Sequence, residues 1–309
     1  MPKLIPRLID IQTIIPAPHW CLHQDISDDP NPDFIDSINR CGLFRPVIVK
    51  ETPDGNELIC GTKRFMAITQ LADFEKVPAF IVDQEIQDHE MLALAAEDQN
   101  DSAPLSPIET ARLIALSDQC DPPLSKEILH SITGITNETQ RQQLLTLLKL
   151  EIPIRTSIHR GSISVKNGLI LAILTTTDRI FLFHLFNRLS LNSNKQHRLM
   201  ELSRIISVAE QCPISEIFTS NYPAICSKMI DNIPQVTKKL MKNLYQQSHP
   251  RISQAKKHYQ EQVAKLDLPK NCSLLPSSSF EQDTVRLEVE FENIDDFSQT
   301  WKNLKKHLE

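Results

Sequence analysis

Glycine is scarce in this sequence, with six glycines among 309 residues. A chain this poor in glycine has few places where its backbone can adopt a positive φ, so the glycines predict where helices and strands end. We expect Gly42 and Gly161 to follow helices, Gly55 to form a turn between two strands, and Gly134 to separate two helices. The pattern predicts strands around Gly55 and helices over much of the rest.

Gly61 has a different setting, in the stretch "ICGTKRFMA". It lies in no evident hairpin and stands between a strand-like run and a helical pattern that includes Phe65. Backbone N–H groups at a helix N-terminus attract anions, and glycine lets an anion approach them closely. Lys63 and Arg64 would add positive charge. The pattern indicates a phosphate site, or else a tight strand-to-helix turn with two solvated cations.

Length and composition bound the class of protein. The chain is 40% hydrophobic and long enough for two or three globular domains. It has no apolar run of eighteen residues and no secretion signal near the N-terminus, so we expect a cytoplasmic protein with no membrane partner. The seven cysteines form no CxxC pair, which argues against a disulfide framework or a zinc knuckle and indicates reduced thiols.

Charge is distributed unevenly along the chain. Residues 1–120 hold 9 Lys and Arg against 20 Asp and Glu, residues 121–270 hold 20 against 11, and residues 271–309 hold 4 against 8. A basic block within an acidic protein is typical of a surface that binds a polyanion such as DNA. Solvated helix faces rich in lysine give the same count.

The order of the N-terminal motifs resembles the ParB family of chromosome and plasmid partition proteins. The resemblance runs through "PDFIDSINRCGLFRPVIVK", "GTKRFMA" and "VPAFIVD". In that family a Gly-Glu-Arg-Arg-x-x-Ala box binds the triphosphate of CTP. This sequence keeps Gly61, Arg64 and Ala67 and has Thr62 and Lys63 at the other two positions. The resemblance therefore implies a nucleotide cradle at Gly61.

The family's second nucleotide motif, Glu-Asn-x-x-Arg, is altered here. It aligns with "EDQND", where Glu97 is kept, Asp98 replaces the Asn and Asp101 replaces the Arg. The family's Gln-Pro-Arg is also absent, at "PAPHWCLHQD". Since an anion replaces a cation beside a triphosphate, we expect weak binding of CTP with Mg²⁺, little hydrolysis and no required cofactor. The predicted nucleotide-binding or phosphate-binding residues are Gly61, Thr62, Lys63, Arg64 and Glu97.

The stretch "LSKEILHSITGITNETQRQQLLTLLKL" predicts a helix, a Gly-centred turn and a second helix that Asn137 caps. Leu144, Leu145 and Leu148 form the predicted core stripe of that second helix. An ordinary helical hairpin has the same pattern. Its place after a ParB-like domain favours a DNA-binding helix-turn-helix, whose second helix would enter the major groove.

The predicted DNA contacts lie on the second helix and on the helix after the next turn. Amides and hydroxyls suit base edges and phosphates, and cations suit phosphates. In "IHRGSISVKNG" we also expect Arg160 and Asn167 to reach phosphates. The predicted DNA-binding residues are Asn137, Thr139, Arg141, Gln142, Gln143 and Lys166.

The predicted fold class is α+β, with a domain division at residues 1–103, 104–232 and 233–309. The first part is a small mixed α/β domain like that of ParB and sulfiredoxin, and the second is all-helical. The third has basic helices broken near Pro250, two strands in "NCSLLP" and "TVRLEVEFEN", and a closing helix in "IDDFSQTWKNLKKHL". This order resembles the family's dimerisation module, although a small subdomain packed on its own chain fits equally well.

Metal and thiol chemistry have weak support in the sequence. His19, Cys21 and His23 would alternate onto one side of an extended segment, but no neighbouring pair completes a four-ligand zinc site, so we predict no metal. Sulfiredoxin shares the N-terminal fold and carries its reactive cysteine where this sequence has Thr62. Peroxiredoxin repair chemistry is therefore not expected.

Two classes of function remain open. The first is a non-enzymatic DNA-binding protein of the ParB type, acting on the nucleoid in partition or as a diverged regulator. Its expected partners are double-stranded DNA, a second copy of the chain and a partition ATPase. The alternative is a nucleotide-dependent phosphotransferase or nuclease, which would need a general base or metal-binding carboxylates such as Glu57, Glu97 and Asp98 near Gly61. We predict no catalytic residue.

Overall fold

A mixed five-stranded sheet organises the N-terminal part of the chain, in a computed structural model. The structure describes residues 4–22, 30–71, 74–227, 231–269, 271–276, 284–295, 297–298 and 300–301. The chain divides into two compact units, Met1–His197 and Arg198–Glu309. The two units are described separately below.

The sheet has the strand order β1-β5-β3-β4-β2. Its strands are β1 (Ile5–Asp10), β2 (Ile14–Pro16), β3 (Val47–Thr52), β4 (Gly55–Cys60) and β5 (Lys76–Val82). The central strand β3 pairs antiparallel with β4 and parallel with β5. At the edges, β1 pairs antiparallel with β5, and β2 pairs parallel with β4. The turn predicted at Gly55 therefore joins two neighbouring strands, and the prediction is confirmed.

Fourteen α-helices, two short 3-10 helices (Ile11–Thr13 and Pro18–Trp20) and two further strands make up the rest of the described elements. The N-terminal unit contains α1 (Pro32–Cys41), α2 (Thr62–Ile68), α3 (Asp88–Ser102), α4 (Pro107–Ser117), α5 (Lys126–Thr133), α6 (Glu138–Leu147), α7 (Ile152–His159), α8 (Val165–Ala172) and α9 (Thr176–Arg188). The division between the two units falls within α10 (Ser193–Glu210). The C-terminal unit contains α11 (Ile214–Asn221), α12 (Pro223–Ser227), α13 (Ile233–Ser248), α14 (Pro250–Lys265), β6 (Cys272–Pro276) and β7 (Val285–Val289). The predicted α+β class is confirmed. As the glycine pattern predicts, α1 ends just before Gly42, α5 ends just before Gly134, and α7 ends two residues before Gly161.

Each face of the sheet supports its own hydrophobic core. Val47 and Val49 of β3 point to one face, where they join a cluster that includes Phe65 and Ile68 of α2. Ile48 points to the other face, since side chains alternate along a strand. The core on that second face includes residues of α3, α4 and α5, so it continues past the predicted boundary at residue 103. The division into three domains stays a prediction.

The packing of α6 differs in part from the predicted core stripe. Leu144 is buried as expected, but the other fully buried residue is Leu147, whereas Leu145 and Leu148 are only partly buried. The helix packs against both α4 and α8, and this pair of neighbours sets which side is covered. The periodicity predicted the helix and its polar side correctly. It named Leu148 as a core residue where the structure buries Leu147.

Asn167 is buried, which corrects the expectation that it reaches a DNA phosphate. Its side chain is 1% exposed, and the amide nitrogen donates to the Ser193 carbonyl at 2.9 Å and to Gln196 Oε1 at 3.1 Å. Gln196 in turn donates to the Ser162 carbonyl at 2.9 Å. Asn167 therefore joins α8 to the start of α10, because a buried amide must satisfy its hydrogen bonds internally. It is not available to a DNA phosphate.

The C-terminal unit contains the predicted helix break and the predicted strands. Helix α13 ends at Ser248 and α14 begins at Pro250, which fits the inability of proline to continue a helix. Strands β6 and β7 form an antiparallel ribbon. The closing helix was predicted in residues 294–308, and much of it, including 302–308, lies outside the described residues.

None of the helices within the described ranges is both long enough and apolar enough to cross a bilayer.

We expect the Asn167→Ala substitution to lower the free energy of unfolding of the N-terminal unit by about 1–3 kcal/mol, because it leaves buried acceptors without a donor. Hydrogen–deuterium exchange should rise in peptides from α8 and the start of α10 and stay unchanged in β3 and β4. Asn194→Ala removes an exposed amide nearby and serves as the matched control, with a change within about 0.5 kcal/mol. Equal exchange in the two variants would contradict the role given to Asn167.

Candidate anion cleft and nucleic-acid interface

Gly61 is the residue that precedes helix α2, and its backbone is left-handed, with φ +96°. A Cβ atom at this position would lie 3.0 Å from Val47 Cγ1 and 3.2 Å from Arg64 Cζ. Only glycine adopts this φ without strain, and only glycine leaves room for the two neighbouring side chains. The strand-to-helix turn thus requires Gly61 even before any ligand is considered.

Arg64 folds back over Gly61 and makes several hydrogen bonds. Its Nη1 donates to the carbonyl oxygens of Arg45 at 3.1 Å and Pro46 at 2.7 Å. Its Nη2 donates to Asp98 Oδ2 in α3. The Arg64 side chain is 13% exposed, so this guanidinium joins the segment before β3 to α2 and α3.

Asp98 and Asp101 place negative charge beside these cations. Arg45 Nη2 lies 3.4 Å from Asp98 Oδ1 and 3.4 Å from Asp101 Oδ2. Asp98 therefore lies between the guanidinium groups of Arg45 and Arg64. Because two carboxylates face two guanidinium groups, the formal charges of this cluster cancel.

A cleft of about 380 Å³ opens beside this cluster. Four of the predicted nucleotide-binding residues line it, namely Gly61, Thr62, Lys63 and Arg64. The fifth, Glu97, is exposed and is not among the lining residues. Trp20, Phe34 and Arg45 are among the lining residues that the sequence did not predict. They lie in separate segments of the chain, and the spacing of the motifs does not predict that these segments meet at the cleft.

Cys60 lies next to Gly61 at the cleft but has an inert thiol. Burial raises the pKa of the Cys60 thiol, and the nearby Asp98 carboxylate raises it further, while Arg64 lowers it. The raised pKa keeps the thiol protonated at neutral pH, and the protonated form is a poor nucleophile.

The nucleotide implied by the resemblance needs cations that are free to face phosphate. In this cleft Arg64 already donates to two carbonyls and a carboxylate, and Arg45 lies between Asp98 and Asp101. A triphosphate would have to displace these bonds and approach two carboxylates. The residues present in this cleft therefore do not fit a tightly held triphosphate.

No cluster of three or more His, Cys, Asp or Glu side chains that could hold a metal occurs among the described residues. His19 Nε2 lies 3.1 Å from Glu57 Oε1, and Cys21 is buried. His23, the third member of the zinc set considered from the sequence, lies outside the described residues. Of the carboxylates that the enzyme alternative would use, Asp98 lines the cleft.

Helix α5, a turn at Gly134 and helix α6 lie where the sequence predicts two helices and the turn between them, and their assignment as a DNA-binding helix-turn-helix stays a prediction. Helix α5 ends at Gly134, whose φ is +69°. Asn137 caps α6, and its Oδ1 accepts a hydrogen bond from the Gln140 backbone N–H at 2.8 Å. The predicted cap is confirmed. Since a cap fixes where a helix starts, Asn137 also determines which side chains lie on the first turn of α6.

The outer side of α6 is polar and exposed. Thr139, Gln142 and Gln143 are all exposed, and Gln142 Nε2 donates to Glu138 Oε1 at 2.6 Å. This hydrogen bond, followed by the one from Arg141, lowers the pKa of the Glu138 carboxyl below its usual range. The first turn of α6 thus carries a negative charge at neutral pH.

Arg141 points back toward α4 and away from the exposed side of α6. Its Nη2 donates to both carboxylate oxygens of Asp118, the residue that follows α4, and its Nη1 donates to Glu138 Oε1 at 3.2 Å. The side chain is 24% exposed. Lys166, by contrast, is exposed near the start of α8. Arg141 therefore holds α6 against α4, whereas Lys166 faces solvent.

Comparisons with known proteins agree with this architecture. A nucleoid occlusion protein of Listeria monocytogenes is 30% identical over 156 residues, which cover 48% of this chain and 52% of that protein. The chromosome-partitioning protein Spo0J of Thermus thermophilus is 30% identical over 149 residues, which cover 48% and 53%. This chain thus spans about half the length of the curated relatives it matches.

Two solved structures also match at low identity. One is the C-terminally truncated chromosome-partitioning protein ParB from Caulobacter crescentus complexed to the centromeric parS site, at 17% identity and a TM-score of 0.36, covering 63% of this chain and 98% of that one. The other is a pNOB8-like ParB N-domain, at 11% identity and a TM-score of 0.43, covering 79% and 98%.

The family comparison matches a defined part of the chain. Residues 3–99 match the sequence profile of the ParB N-terminal domain. They include the five strands of the sheet, the Gly61 turn and most of α3. Through these residues, the chain is similar to the ParB N-terminal domain.

Proposed function

We propose that this protein binds double-stranded DNA in a sequence-specific way and acts in chromosome or plasmid partition or as a diverged nucleoid-associated regulator. The exposed polar side of α6 is the observation that carries the proposal. The Asn137 cap fixes where this helix begins, and the Arg141–Asp118 pair holds it against α4. A capped second helix with exposed amides on its first two turns suits the major groove. The relatives named as nucleoid occlusion and partition proteins point the same way.

The role proposed for each side chain follows from its exposure and from its hydrogen bonds in the structure. Gln142 and Gln143 are exposed amides and suit base edges, and Thr139 suits either a base or a phosphate. Asn137 lies where the helix meets the DNA but uses its side-chain oxygen for the cap. Arg141 serves to hold the helix in position, because its guanidinium binds Asp118. The exposed Lys166 suits a phosphate.

We expect the double substitution Gln142→Ala and Gln143→Ala to reduce the ratio of affinities for specific and random duplex DNA, because base-edge contacts carry specificity. Lys166→Ala should weaken both affinities and lower the salt slope by about one ion. Fluorescence anisotropy at several salt concentrations measures both effects. Lys76→Ala, an exposed lysine on β5, is the matched charge control. Equal losses from the glutamine and Lys166 variants would remove the base-reading assignment.

We further propose that the Gly61 cleft does not function as a tight nucleotide switch. Asp98 lies between Arg45 and Arg64 and already satisfies the positive charge that a triphosphate would require. A DNA-binding role that does not depend on CTP agrees with this arrangement. It also lowers the support for the nucleotide-dependent enzyme alternative.

Calorimetry with CTP and Mg²⁺ should therefore detect weak binding at most, with little hydrolysis. Asp101→Arg combined with Asp98→Asn should strengthen binding tenfold to a hundredfold, about 1.4–2.7 kcal/mol, because it removes two anions and restores a cation. Asp54→Arg makes the same change of charge as Asp101→Arg alone, at an exposed turn distant in sequence, and should have no effect. Tight, Gly61-dependent binding of CTP by the unmodified protein would contradict this proposal.

The C-terminal ribbon is the proposed dimer interface. In the register of β6 and β7, Leu274 lies opposite Leu287 and Pro276 lies opposite Val285. Val285 is 56% exposed and Leu287 is 52% exposed, so this apolar face is largely uncovered among the described residues. A two-stranded ribbon is barely stable alone in water and needs a partner for its apolar face. A second copy would supply one and would pair two DNA half-sites.

Deletion of residues 271–309 should convert a dimer into a monomer when mass is measured by light scattering. Leu287→Glu should do the same without truncation, because it puts a charge on the apolar face. Arg286→Ala changes the neighbouring residue, which points to the other face of the ribbon, and should leave the dimer intact. A dimer that persists in both the deletion and the Leu287 variant would place the interface elsewhere.

The proposed site of action is the nucleoid, where a partition ATPase would be a further partner. Both statements follow from the proposed DNA-binding role.

A further inference from the structure

Glu138 is an unexpected residue at the first position of a helix that is proposed to enter DNA. Its side chain is 68% exposed. A carboxylate near the phosphate backbone repels DNA, so the charge is a disadvantage unless it contacts something else. An acid in the first turn also stabilises a helix through the macrodipole, which is the simpler explanation to be tested.

The bonding of Glu138 leaves one oxygen available to a ligand. Oε1 accepts from Gln142 Nε2 at 2.6 Å and from Arg141 Nη1 at 3.2 Å. None of the hydrogen bonds found in the described part of the chain reaches Oε2. The carboxylate is therefore held in one orientation while a second acceptor site points outward.

Arg141 does not neutralise Glu138. The same guanidinium donates to both oxygens of Asp118, so two carboxylates share one positive charge. The group of Glu138, Arg141 and Asp118 therefore keeps one excess negative charge, and it lies at the end of the helix that contacts base edges in helix-turn-helix proteins.

Base chemistry limits what this acceptor can contact in the major groove. Guanine presents two acceptors, N7 and O6, which would repel a carboxylate, and thymine presents an acceptor and a methyl group. Adenine presents an amino donor beside the N7 acceptor. Cytosine presents its N4 amino group without a neighbouring ring acceptor, so it is the base edge that best matches a carboxylate.

We propose that Glu138 selects a cytosine in the DNA site by accepting a hydrogen bond from the cytosine N4 amino group. Gln142 and Arg141 position the carboxylate for this contact. The inference rests on the proposed function, because it needs α6 to lie in the major groove.

The test begins with the full-length native protein. Selection from a pool of randomised duplex DNA, followed by sequencing, gives the preferred site. We expect one position of that site to require cytosine, with replacement by any other base weakening binding about tenfold or more. If the native protein selects no site, both the proposed function and this inference fail.

Glu138→Ala should lose the cytosine preference at that single position and keep the preferences at the others. It should also bind random duplex more tightly than the native protein, because a repulsive charge is gone, while its affinity for the preferred site falls. Glu138→Gln, which keeps the shape of the side chain, should bind adenine at that position as well as cytosine, because an amide pairs with adenine N6 and N7.

Glu127→Ala is the matched control, since Glu127 is also an exposed acid in the first turn of a helix, but on α5. It should leave the preferred site unchanged. If Glu138→Ala keeps the cytosine preference and strengthens binding to all duplexes equally, then Glu138 is only a helix-stabilising acid. That result would overturn this inference and leave the proposed DNA-binding function standing.

Discussion

The hydrogen bonds of Arg64 hold together the segments that form the cleft. One nitrogen of its guanidinium binds two carbonyl oxygens just before β3, and another binds Asp98 of α3. This arrangement depends on Gly61, because a Cβ there would lie 3.2 Å from Arg64 Cζ. Because the Arg64 side chain is only 13% exposed, its positive charge needs a partner, and the Asp98 carboxylate is that partner. The glycine and the arginine thus act as one structural unit.

The same pairing explains why a phosphate-type motif can persist without a tightly bound phosphate. In such a motif the anion satisfies the cation, and without it the arginine would need another partner. Here Asp98 contacts Arg64 and lies 3.4 Å from Arg45. The internal carboxylate therefore gives the cleft a stable arrangement of charge with no ligand. This is the physical basis for proposing that DNA binding does not depend on a nucleotide.

Features of the fold that depend on neighbouring residues could be predicted from the sequence. Features that depend on contacts between distant residues could not. The turn at Gly55, the cap at Asn137 and the break before Pro250 depend on neighbouring residues, so the sequence could predict them. The buried state of Asn167 depends on Ser193 and Gln196, which no local pattern identifies. Motif order likewise identified four residues of the cleft. It gave no sign of Arg45 or of its contact with Asp98, 53 residues away.

The sequence also could not separate the cations that suit DNA from those that hold the protein together. Composition treats Arg141 and Lys166 alike, but Arg141 is bound to Asp118, 23 residues away, and Lys166 is exposed. Because the Arg141–Asp118 pair holds α6 on the side that faces α4, the opposite side of the helix stays polar and exposed. That opposite side carries glutamines and one fixed carboxylate rather than lysines and arginines. Such a surface contributes little to general affinity for DNA, so the specificity proposed for α6 requires the affinity to come from cations elsewhere, such as Lys166.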